Sequence, residues 1–148
     1  MSKDFDSWNE IKKEVDDKKI NQNFFFYERE VWWCSLGANI GVETDGKNDN
    51  FERPVLLVKR FNKDMAWVLP ITSRSGDGRF YYPIRYEKQA QSVIVSQIRT
   101  VSTKRLLRKI RVLPDAEFVE IINKIDAFLK QETNETPPKA GNLGGRSH

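Results

Sequence analysis

Apolar residues recur along this chain with two different periods, and the change of period divides it. In residues 1–27, Trp8, Ile11 and Val15 follow one another at roughly helical spacing with charged residues between them, the pattern of an amphipathic helix. Ser7 and Glu10 stand three apart, which fits a capping box, and Asn21-Gln22-Asn23 breaks the pattern. Phe24, Phe25 and Phe26 then lead into the next element. The segment is predicted to be a helical extension that packs on the core or shields an edge strand. From residue 28 the pattern alternates instead. Runs rich in Val, Ile, Trp, Tyr and Phe predict strands over 30–36, 55–61, 65–71, 79–85 and 92–97. Asn62-Lys63-Asp64 is short enough to be a hairpin turn between the second and third. Short strands in such close succession imply a small, strongly curved antiparallel sheet or partial barrel.

Beyond the strands, 103–110 suggests a short basic helix. Pro114 and Asp115 then open a longer one, whose apolar face is Phe118, Ile121, Ile122, Ile125, Phe128 and Leu129. Its task is to cover the sheet. From 131 to 148 the composition falls to Pro, Gly, Asn, Thr, Glu and Lys, with too little to bury for an ordered structure. The expected organisation is therefore a mainly β domain over 28–130, an N-terminal helical extension over 1–27, a C-terminal packing helix and a disordered tail over 131–148. Two polar loops, 37–52 and 73–78, are placed to carry function on the rigid sheet.

Composition narrows the chemistry. A chain of 148 residues with 39% hydrophobic positions fits one folded domain. Its net charge of +4 mildly favours a polyanionic partner. The charge is unevenly spread: residues 28–130 carry 18 basic and 13 acidic side chains, whereas 1–27 carry five and six. Between Lys88 and Pro114 there are seven basic residues and no acid, which fits either a phosphate-binding stripe or a solvated helix face. Cys34 is the single cysteine and His148 the single histidine, at the end of the expected tail. An internal disulfide, a cysteine-rich zinc site, a histidine-based metal site and a paired-histidine acid/base mechanism are all excluded for the monomer. No apolar run is long enough to cross a bilayer and no signal peptide is evident, so a cytoplasmic protein with no membrane association is expected.

Single positions leave alternatives open. Arg53, before Pro54 at the mouth of an apolar strand, suits either a phosphate clamp or an ion pair with a surface acid such as Glu52. Thr72 and Ser73 end the third strand, where hydroxyls commonly shape turns. Glu43 reads as a solvated loop acid. Cys34 alternates with Trp32 and Leu36 and is expected in the core; Trp32, Trp33 and Trp67 suit core or interface better than base stacking.

Taken in order, the blocks Glu30-Val31-Trp32-Trp33-Cys34-Ser35-Leu36-Gly37, Gly41-Val42-Glu43, Arg53-Pro54-Val55-Leu56-Leu57-Val58, Leu69-Pro70-Ile71-Thr72-Ser73 and Ser92-Val93-Ile94-Val95-Ser96-Gln97-Ile98-Arg99-Thr100-Val101 resemble the MazF/PemK family of toxin endoribonucleases. The resemblance covers about 28–130. It implies an SH3-like barrel with accessory helices, a homodimer, metal-independent cleavage of single-stranded RNA with no cofactor, and a cognate antitoxin. It places the family's catalytic arginine on Arg53, its hydroxyl on Thr72 and its loop acid on Glu43. It also implies that Ser73, Arg74 and Arg79, with Gln97 and Arg99, guide the RNA strand. Two features differ from the family pattern: the stretch from Glu43 to Arg53 is longer than in compact members, and Ser96 stands where some members place an acid. They leave room for a non-catalytic RNA- or protein-binding module on the same barrel, or for a toxin that acts on a protein target such as a topoisomerase.

Overall fold

The computed structural model describes residues 2–74 and 78–131. Its elements in chain order are α1 (Phe5–Asp17), β1 (Glu30–Ser35), β2 (Glu52–Arg60), β3 (Met65–Thr72), β4 (Tyr81–Tyr86), β5 (Gln89–Ile94), β6 (Arg99–Ser102), β7 (Leu106–Val112) and α2 (Asp115–Lys130). All strand pairings are antiparallel, in the order β4-β5-β3-β2-β1-β7, with β6 also on β3.

The curl of the sheet comes from β3, which changes partner along one edge. There it pairs first with β6, from Met65 to Val68, and then with β5, at Ile71 and Thr72. Pro70 falls between these two pairings, where its missing N–H costs no bond on that edge. Register shifts within the β1–β7 and β2–β3 pairs add local twist. The result is the mainly β, half-barrel architecture anticipated above.

Both faces of the sheet are covered, which explains the unbroken apolar run of β2. Val55 and Leu57 enter one core with Trp32, Cys34, Leu36 and Leu106, while Leu56 and Val58 enter the other with Val31, Leu69, Ile71 and Ile121. Strands buried on both faces lose their polar alternation. α2 seals the second core with Phe118, Ile122, Ile125 and Phe128, and Asp115 and Glu117 occupy its electropositive first turn, as the helix dipole favours.

Three expectations about local structure are corrected. The helix expected over 103–110 is one 3₁₀ turn, Thr103–Arg105, followed by β7. Its long basic side chains tolerate a helix, but strand pairing with β1 satisfies the backbone and gives them partners: Lys109 pairs with Glu30 at 3.1 Å and Arg108 lies 5.0 Å over the Trp33 ring. The strand expected over 92–97 ends at Ile94, where Val95–Gln97 form a 3₁₀ turn before the unanticipated β6. The cap of α1 is Asp4 rather than Ser7: its Oδ1 accepts the Ser7 backbone N–H at 3.0 Å.

α1 packs as expected of the extension. Trp8 is its one buried residue, and Lys18 reaches the carbonyls of Lys104 and Leu106 at the start of β7. The tail beyond Gln131, with His148, and residues 75–77 of the second polar loop lie outside the described residues.

Candidate active site

Arg53 enters from β2 and is fixed by backbone. Its Nε donates to the Asp45 carbonyl at 2.6 Å and its Nη1 to the Ile71 carbonyl at 3.3 Å. Ile71 immediately precedes Thr72, so the strand pairing brings the predicted arginine and hydroxyl together. Burial pulls the pKa of Arg53 below the usual range, with Arg74 acting in the same direction and Asp45 opposing. A guanidinium still remains a cation under such conditions, so the site holds a partly desolvated positive charge. Thr72 is buried at the end of β3, and its Oγ1 accepts the Arg74 backbone N–H at 3.2 Å. That bond uses one lone pair and leaves the hydroxyl proton available for donation.

A cavity of about 400 Å³ opens beside Arg53. Lys47, Arg111, Ser73, Gln89 and Gln91 line it, together with Trp33, Tyr86 and Glu52. Glu52 is the carboxylate of this lining, and Arg108 engages both of its oxygens at 3.2 Å. The cations therefore set the sign of the field inside the cavity. Arg111 lies 5.0 Å over the Tyr86 ring, and that stacking holds its guanidinium against the cavity lining.

Glu43 is elsewhere. It is exposed, its Oε1 accepts the N–H of Ile40 at 3.0 Å, and it lines a second depression of about 510 Å³ with Gln97 and Arg99. The predicted residues thus fall into two groups: Arg53, Thr72 and Ser73 on one side, and Glu43, Gln97 and Arg99 on the other. Gln97 is engaged with the loop, accepting from the N–H and hydroxyl of Thr44 at 2.7 Å and donating to the Val42 carbonyl. Arg74 and Arg79 are exposed, and Arg79 lies over the Phe80 ring. Cys34 is in the core as expected, and burial pushes its thiol up to about 12.

Asp45 is the participant that sequence reasoning missed. Its carboxylate accepts the Asn39 N–H at 2.6 Å and pairs with Lys3 at 3.0 Å, while its carbonyl holds Arg53. Nothing in the local pattern distinguishes it from Asp49. Lys47, Gln89 and Gln91 were equally hidden, and Arg111 was one of seven basic residues in a run, because they meet only after the sheet curls.

With this geometry in place, comparison with known proteins defines the class. Residues 27–129 match the family of PemK-like, MazF-like toxins of type II toxin–antitoxin systems, and the chain belongs to that family. Its fold is similar to that of MazF from Deinococcus radiodurans, at 16% identity and a TM-score of 0.60 over 74% of this chain and 100% of that one. It also resembles the Mycobacterium tuberculosis toxin MazF-mt6, at 20% identity and 0.54 over 70% and 100%. A mycobacterial endoribonuclease in complex with its cognate antitoxin matches at 13% identity and 0.57 over 74% and 99%. No curated protein matches the chain. Among the described residues, no helix is long and apolar enough to cross a membrane.

Proposed function

We propose that this toxin-family chain is an endoribonuclease that cuts single-stranded RNA without a metal ion, leaving a 2′,3′-cyclic phosphate and a 5′-hydroxyl. The observation that carries the reading is Arg53, held by two carbonyls beside Thr72 at a cavity lined by further cations. In the reaction the ribose 2′-oxygen attacks the neighbouring phosphorus, its proton passes to a base, the bond to the 5′-oxygen breaks, and that oxygen takes a proton. Charge builds on the non-bridging oxygens. Arg53 faces that charge already oriented and partly desolvated, and one such fixed donor stabilises a transition state by about 3–4 kcal/mol. Thr72 donates to the same phosphate. Glu52, in the Arg53 cavity, is closer to the chemistry than Glu43, which serves from the second depression only if its loop moves.

In this reading the cytoplasmic toxin pairs with a cognate antitoxin, and a second copy of the chain completes a homodimer, which the mass in solution checks. The chemistry itself is tested by incubating purified protein with single-stranded RNAs of varied sequence in EDTA. Cleavage with cyclic-phosphate ends is expected, and Arg53→Ala should lower it at least 100-fold with the fold retained. Intact RNA in every case removes the enzyme reading, and binding without cleavage leaves the non-catalytic module.

A further inference from the structure

The N-terminal extension lies outside the family-matched residues, yet its contacts converge on the anchor of Arg53. Asp4 caps α1, and Lys3 directly precedes that cap. The Lys3 Nζ then donates to the carbonyls of Asn39 at 2.7 Å and Gly41 at 3.2 Å, and pairs with the Asp45 carboxylate at 3.0 Å. Five residues after Lys3, within α1, Trp8 closes over the same loop, with its ring 5.6 Å from that of Phe51. The Asp45 carbonyl is the acceptor for the Arg53 Nε. One residue thus takes the latch on its side chain and the arginine on its backbone.

We infer that Lys3, seated by α1, is a positioning residue for cleavage: through Asp45 it sets the Arg53 guanidinium toward the RNA phosphate. This rests on the endoribonuclease reading. The physical need is plain. Asp45 sits in the long connection between β1 and β2, and an arginine anchored on a wandering carbonyl samples many rotamers. A misplacement of about 1 Å at a catalytic group can cost on the order of 100-fold in rate. Lys3 brings three acceptors of the loop to one point and removes that freedom. By contrast, the Lys13–Glu10 pair is exposed on both sides and joins two residues of α1 itself.

Two measurements on the full chain test the latch. In cleavage kinetics with an RNA oligonucleotide, Lys3→Ala should lower kcat about tenfold and change KM less than twofold, and Lys3→Arg should restore kcat. Wild-type kcat in Lys3→Ala, or a loss that Lys3→Arg recovers in thermal stability but not in kcat, overturns the inference. Independently of RNA, NMR should show the Arg53 Nε–H exchanging slowly in the wild type and at least threefold faster in Lys3→Ala. Unchanged exchange overturns the latch even where cleavage is seen. Faster exchange in a protein that leaves RNA intact supports the latch and moves the failure to the endoribonuclease reading.

Discussion

At the scale of residues, the proposed site is an arginine whose position is set by main-chain oxygens. Guanidinium N–H groups lie in one plane, so two carbonyls are enough to orient the rest of the fork. In the proposed reaction the proton of the 2′-hydroxyl is the harder matter, and position separates two candidates: Glu52 lines the Arg53 cavity, whereas Glu43 is tied to Ile40 in the neighbouring depression. Replacing each by Gln keeps its shape and removes its basicity. Cleavage should fall at least tenfold in Glu52→Gln and less than threefold in Glu43→Gln; the reverse order would show that the Glu43 loop closes on RNA. Arg53 and Thr72 were legible in the sequence because each sits in a short block of distinctive wording. Asp45 and Glu52 were not, since an acid in a polar loop or beside an arginine looks like any solvated charge until its partners are known.

At the scale of elements, the junction between α1 and the β1–β2 connection depends on a glycine. Gly37 has φ +89°, and a Cβ there would lie 2.4 Å from the Trp8 indole. Gly37→Ala thus combines backbone strain with a clash, and is expected to destabilise the protein by about 2–4 kcal/mol. In a Trp8→Ala background the clash is gone, and the same change should cost only about 1 kcal/mol. Denaturant unfolding of the four proteins of this cycle checks the difference; equal costs would mean that Trp8 does not press on Gly37. The long elements were readable, α2 from its helical period and β1 to β3 from their apolar, β-branched and aromatic runs, because each is buried against the core. β6 and β7 were not. Their sequence is rich in basic residues and carries weak alternation, and only the free edges of β3 and β1 make strands of them.

For the whole molecule, charge is the property that matters. The basic residues of 88–114 do not form one stripe. Arg108 and Lys109 neutralise Glu52 and Glu30, Arg105 donates to the carbonyls of Ser35 and Leu36, and Arg111 reaches the cavity. In the proposed reading, the cations of the Arg53 cavity, Lys47, Arg53 and Arg111, meet the RNA. If three phosphates meet these cations, the affinity for a non-cleavable single-stranded oligonucleotide should fall with salt at a log–log slope of roughly −2, since each phosphate contributes about 0.7. Fluorescence anisotropy across a salt series measures it, and a flat response would remove the cavity as the RNA seat.

The sequence by itself determined the mainly β class, the covering helix and the segment that carries Arg53, because periodic burial and a short run of neighbouring residues are local properties of a chain. Tertiary structure alone decided which charges are already neutralised, which carboxylate shares the cavity with Arg53, and that an N-terminal lysine reaches its anchor. These depend on pairs such as Lys3 with Asp45 and Glu52 with Arg108, 42 and 56 residues apart. Their meeting is a consequence of strand order and curl, which no local pattern encodes.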